Sequence, residues 1–166
     1  MTDEEKKQED DADLEKKDEI LQIREKKKSL EKDIVEDLKI DTSEIIEECR
    51  NAPNKTQKYI EVLNYYRRRC VSKKILMDRL FAEYFGYYKS FIDKKGHKFG
   101  DKFPRDFNSG DAKIMVDREK EVILAKTIYE ETKVMVIYLE EVVENFKSRS
   151  YQLKNIVEVM KMERVS

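Results

Sequence analysis

From Asn54 to about Asp93 apolar side chains return every three or four residues, at Tyr59, Val62, Leu63, Tyr66, Cys70, Val71, Ile75, Leu76, Leu80, Phe81, Tyr84, Phe85 and Tyr88. That spacing keeps them on one side of an α-helix. With Gly86 as the only breaker, it predicts a helix of about 40 residues, long enough to act as a stalk or the wall of an oligomer. A second run, Val122, Ile123, Ile128, Val134, Ile137, Tyr138, Val142, Val143 and Phe146, predicts another long helix. Asp117 reads as its N-cap, with Glu119 and Glu121 complementing the helix dipole. Ser148-Arg149-Ser150 is a candidate kink, after which Leu153, Ile156, Val157 and Met160 form an apolar face that would seek a partner helix. Between the two helices, Lys94 to Gly110 holds three of the four glycines and reads as a linker, and Lys113-Ile114-Met115-Val116 is a candidate short strand. Upstream, Ile40-Asp41-Thr42-Ser43 followed by Glu44 reads as a helix start, capped by Asp41 or Thr42. Asn51-Ala52-Pro53 is expected to interrupt that helix and Pro53 to open the next. Met1 to Asp11 is expected to lack structure, with a weak helix beginning near Asp13 on the sparse anchors Leu14, Leu21 and Leu30.

The chain thus divides into an acidic, largely disordered tail (1–29), a helical region carrying the basic and aromatic long helix with its loop (30–110), and a C-terminal helical region for self-association (111–166). The expected fold class is mainly α: an elongated subunit of long helices, with a short extended segment in the inter-helix loop, assembling into a homo-oligomer. Composition agrees. Charged residues make up 43% and hydrophobic ones 39% of 166 residues, and mean hydropathy is −0.82, which suits helices with one narrow apolar stripe each. No run approaches the ~18 apolar residues of a membrane span, and the polar, acidic start is unlike a signal peptide. Cys49 and Cys70 are too few for a disulfide framework and read as reduced, small core residues of a cytoplasmic protein.

Charge is unevenly distributed along the chain. The formal net charge is −1, yet residues 54–105 carry 14 basic and 5 acidic side chains, while residues 1–33 carry 9 and 13. Twelve of the sixteen Tyr and Phe lie between Tyr59 and Phe107. Cations that track phosphates together with aromatic faces that stack bases suit single-stranded nucleic acid. Lys58, Arg67, Arg68, Arg69, Lys73, Lys74, Arg79 and Lys89 are the candidate phosphate contacts, and Tyr84, Tyr87 and Tyr88 the candidate stacking residues. Consecutive Arg67, Arg68 and Arg69 spread over about 200° of helix, and the run continues through Lys94, Lys95, Lys98, Lys102 and Arg105, a ribbon rather than a pocket. The alternative is a solvated face that pairs with acidic residues. Catalytic and metal chemistry find no footing: His97 has no Cys or second His beside it, no Gly-rich loop leads into Lys-Ser/Thr, and the carboxylates lie among Lys and Arg on helix faces.

The order of several short motifs resembles the UvsY-like recombination mediators of T-even-type bacteriophages, over about Leu30 to Arg164. The carriers are Ile40-Asp41-Thr42-Ser43, Lys58-Tyr59-Ile60, Arg67-Arg68, Tyr87-Tyr88 and, most closely, Lys147-Ser148-Arg149 followed by Lys154, Ile156, Met160 and Glu163. The resemblance implies a non-enzymatic protein of the infected bacterial cytoplasm that needs no cofactor. It would bind single-stranded DNA and the phage recombinase, and help the recombinase displace the single-stranded DNA-binding protein. It also implies a ring-like, heptameric homo-oligomer assembled through the C-terminal helices, for which Val142, Val143, Phe146, Leu153, Ile156, Val157 and Met160 are the candidates. Where the family has Lys-Ala-Arg-Leu, a motif tied to DNA, this chain has Ala82-Glu83-Tyr84-Phe85, so that site does not carry over; Arg79 and Lys89 stand one turn to either side. Residues 1–23 have no counterpart in the family. The competing expectation is a coiled-coil scaffold or phage assembly chaperone that binds only proteins.

Overall fold

The structure, a computed structural model, describes residues 3–39, 42–89 and 107–163. Helix α1 spans Asp3–Asp37. A 3-10 turn, Thr42–Glu44, leads into α2, Ile45–Tyr88. Helix α3 spans Ser109–Val116 and α4 spans Lys120–Glu163. No strand occurs among the described residues, and no helix there is long and apolar enough to cross a membrane.

The chain folds into two compact units, each discontinuous in sequence. One takes Met1–Gln22 and Cys70–Glu131, the other Ile23–Arg69 and Thr132–Ser166. Each collects stretches of all three long helices.

In the second unit, Leu30 and Ile34 of α1 meet Tyr59, Leu63 and Tyr66 of α2 and Met135, Leu139, Val142, Val143 and Phe146 of α4. Steps of three, four and seven residues give each helix a narrow seam, as in coiled-coil packing. Tyr59 and Phe146, both fully buried, stack with centroids 4.7 Å apart. In the first unit, Tyr84, Tyr87 and Tyr88 of α2 bury against Ala112 and Val116 of α3 and Val122 of α4.

Four local expectations are corrected. The acidic N-terminus is helical from Asp3, and its inward positions are Asp13, Ile20, Ile23, Leu30 and Ile34, whereas Leu14 and Leu21 are exposed. Ion pairs supply what apolar anchors do not: Lys16 with Glu121 at 3.3 Å, Glu19 with Lys73 at 2.7 Å, and buried Asp13 with Lys120. Pro53 does not end a helix but lies inside α2. A mid-helix proline costs about 3 kcal/mol; here the helix is held on both sides, by the seam from Tyr59 onward and by Glu48, whose carboxylate takes Lys55 and Arg149.

Lys113-Ile114-Met115-Val116 is the second half of α3, not a strand. The Asn108 side chain accepts from the Asp111 N–H at 2.9 Å and donates to the Asp111 carboxylate, which nucleates the helix just upstream. Ala112 and Val116, one turn apart, are then fully buried. Asp117 is the C-cap of α3 rather than the N-cap of α4. The stretch at Ser148-Arg149-Ser150 lies within α4, where Arg149 is buried. Cys49 and Cys70 are free, half-buried thiols of α2. The expected extension of α2 to Asp93, most of the linker and His97 fall outside the described residues.

Candidate nucleic-acid interface

Helix α2 carries every candidate phosphate contact up to Arg79, and Lys89 follows its last turn. Three of them are engaged by acidic side chains. Lys58 pairs with Asp37 at 2.7 Å and Arg67 with Glu140 at 2.6 Å; both cations are half-exposed, but the Asp37 carboxylate is more enclosed than that of Glu140. The Arg67–Glu140 pair, wet on both sides, is worth about 0–1 kcal/mol, so a phosphate can replace its carboxylate. Lys73 is more enclosed and held by Glu19. Arg69 donates to the Tyr65 hydroxyl at 3.3 Å, and Lys89 donates to the Phe107 carbonyl at 3.2 Å. Among the described residues, Arg68 in one unit and Lys74 and Arg79 in the other are exposed with no ion-pair or hydrogen-bond partner. Lys94, Lys95, Lys98, Lys102 and Arg105 lie outside the described residues.

The Lys58 pair belongs to a knot at the end of α1. Burial alone would raise the Asp37 carboxyl, but hydrogen bonds from Lys58 and Tyr59 and the charges of Lys58 and Lys55 hold it below the ordinary carboxylate value. Burial and the Asp37 carboxylate push the Tyr59 phenol well above its usual value. Beside the Arg67 pair, an open groove of about 370 Å³ between α2 and α4 presents Asn64, Arg67 and Lys147 against Glu140 and Glu144. Its charges balance, so it offers no excess attraction to phosphate until Glu140 is displaced.

The expected stacking residues are not at the surface. Tyr84, Tyr87 and Tyr88 are 6%, 2% and 2% exposed. They continue the inward stripe of α2 begun by Leu80 and Phe81, and the described part of the aromatic cluster forms the core around them. Their polar ends find carboxylates on or just before α4: Tyr84 donates to Glu121 at 3.3 Å and Tyr88 to Glu119. The aromatic that α2 does expose is Tyr65. Helical spacing is the signal that could have found it, because Tyr66 takes the inward position and turns its neighbour out.

The oligomerisation residues divide in the same way. Val142, Val143, Phe146 and Leu153 are buried within the subunit. Ile156 is exposed, and Val157 and Met160 are half-buried. Val159 and Met162 join Ile156 at the exposed end of α4.

The family comparison settles what this helical scaffold is. A family model described as "Recombination, repair and ssDNA binding protein UvsY" matches residues 33–165. The chain belongs to the UvsY family. The match begins in the second half of α1, so the acidic, ion-paired first half of that helix lies outside the family region. Two crystal structures of the bacteriophage T4 recombination mediator protein UvsY share the fold of this UvsY-family chain. One superposes with a TM-score of 0.68 at 17% identity, covering 82% of this chain and 96% of that one. The other has a TM-score of 0.68 at 18% identity, covering 81% and 98%. No curated protein sequence matches significantly. Among the described residues, no group of His, Cys, Asp and Glu is arranged to hold a metal ion.

Proposed function

We propose that this protein binds single-stranded DNA through the cations of α2 and acts as a recombination mediator. In this reading it helps a recombinase load onto DNA covered by single-stranded DNA-binding protein inside the infected bacterial cell, without catalysis of its own. Membership of the UvsY family is the observation that carries the reading. Arg68, Lys74 and Arg79, exposed and without a partner among the described residues, support it, as does the replaceable pair at Arg67. Contacts of this kind neutralise phosphate without reading sequence. The subunit works as a ring-like homo-oligomer, heptameric as the family resemblance implies. The exposed apolar side chains near the end of α4, Ile156 and Val159, support association there.

The test is binding of labelled single-stranded DNA across a salt series with duplex as control, followed by recombinase filament assembly on DNA coated with single-stranded DNA-binding protein. Sequence-tolerant, salt-sensitive binding and faster filament assembly are expected. Absence of binding at low salt would remove DNA from the mechanism and leave a protein-only scaffold.

A further inference from the structure

With Tyr84, Tyr87 and Tyr88 inside the core, an α2 that meets single-stranded DNA needs another surface for the bases. Tyr65 is 57% exposed, although the neighbouring Tyr66 is 4% exposed and part of the core. The Tyr65 ring stands at 89° to the Tyr66 ring with centroids 5.2 Å apart, an edge-to-face contact that fixes its attitude. Its hydroxyl accepts from the Arg69 guanidinium at 3.3 Å, a second tether one turn away. Arg68, three residues on and therefore adjacent on the helix surface, is exposed and has no partner among the described residues. An exposed tyrosine ordinarily samples several rotamers, and ordering it costs binding energy. Here a buried ring and a guanidinium both contact it, and next to it stands a cation with no partner among the described residues.

We propose that Tyr65 is a stacking platform for one nucleobase of bound single-stranded DNA, with Arg68 taking the adjoining phosphate. This rests on the single-stranded DNA reading and assigns the base contact within it. Stacking on a π-face is indifferent to which base is presented, as a protein that coats DNA of any sequence requires.

The test compares the full chain with Tyr65→Leu and Tyr65→Phe, using a fluorescent single-stranded oligonucleotide and an abasic oligomer with the same sugar-phosphate backbone. Leucine keeps an apolar side chain at an exposed helical position but has no aromatic face, and its expected effect on the intact oligonucleotide is about a tenfold loss of affinity. The abasic oligomer should bind wild type and Tyr65→Leu equally, with the same salt dependence. Tyr65→Phe, which retains the ring, should stay within about threefold of wild type on the intact strand. Equal loss on intact and abasic strands would overturn the platform, because the residue would then act on the backbone or on the fold. Wild-type affinity in Tyr65→Leu, alongside weakened binding in Arg67→Ala/Arg68→Ala/Arg69→Ala, would overturn the platform and leave DNA binding by α2 standing. If wild type bound neither oligomer, the DNA reading itself would fail, and the platform with it.

Discussion

Arg149 gives the sharpest test of how the fold is held. It belongs to the Lys147-Ser148-Arg149 motif, lies on α4 and is 8% exposed. Its guanidinium donates to the carbonyls of Asp37 and Lys39 just where α1 ends, and to the Glu48 carboxylate in the first turn of α2 at 3.1 Å. The bond to Lys39 measures 2.7 Å. One side chain therefore ties three elements together and supplies the cation that a helix C-terminus favours. Consider Arg149→Met, which keeps much of the aliphatic bulk. Each charge-assisted bond is worth about 1.5–3 kcal/mol, but two of the acceptors keep a partner. Lys55 lies 3.5 Å from the Asp37 carbonyl and 3.2 Å from the Glu48 carboxylate. The net loss is then about 3 kcal/mol, at the lower end of the range for breaking a buried pair. For a chain of this size that lowers Tm by roughly 6–12 °C. The assay is urea and thermal unfolding followed by helical circular dichroism, at one fixed protomer concentration because association shifts apparent stability. Arg149→Lys should fall between wild type and Met, since one ammonium cannot reach all three acceptors. A loss below about 0.5 kcal/mol for Arg149→Met, the scale of an ordinary surface substitution, would refute the clamp.

Three further outcomes follow from the same contacts. Tyr88→Phe should cost about 1–2 kcal/mol by removing the bond to Glu119, with single-stranded DNA affinity unchanged in the salt-series assay, because the ring is in the core. Pro53→Ala should stabilise the protein by about 1–3 kcal/mol in urea unfolding, since alanine restores a helical N–H donor within α2. Stability should fall on both sides of neutrality. Burial and their carboxylate partners hold the phenols of Tyr59 and Tyr88 above the ordinary value of 10.0, so their contribution is full below that pH and is lost as pH rises beyond it. Asp37 is held below 3.8, so its contribution is present above that pH and is lost as pH falls further, which unfolding at graded pH would show.

The long helices were legible because their apolar positions recur at helical spacing over many turns, as from Tyr59 to Tyr88 and from Val122 to Phe146. Local signals misled where tertiary contacts outweighed them. Pro53 is tolerated inside a helix gripped on both sides, and the short apolar run at Lys113–Val116 is equally compatible with strand and helix until Asn108 caps it. The N-terminal half of α1 was hidden because its hold is ionic, through partners such as Lys73, Lys120 and Glu121 that lie far away in sequence. For the interface, periodicity placed the cations on α2, but composition does not separate buried aromatics such as Tyr84, Tyr87 and Tyr88 from exposed ones. Those three are core residues, whereas Tyr65, in the same aromatic-rich stretch, is exposed. The motif most like the family's, Lys147-Ser148-Arg149, includes a residue of the fold, because Arg149 is spent on backbone carbonyls and Glu48.

The most direct test of the central claim is the salt dependence of single-stranded DNA binding by wild type and by Arg68→Ala/Lys74→Ala/Arg79→Ala, which removes three candidate phosphate contacts that have no partner among the described residues. Each phosphate neutralised on a single strand contributes ~0.7 to the log–log slope. The triple variant should therefore bind more weakly on every sequence, with a slope shallower by about two. An unchanged slope and affinity would contradict the assignment of DNA to α2.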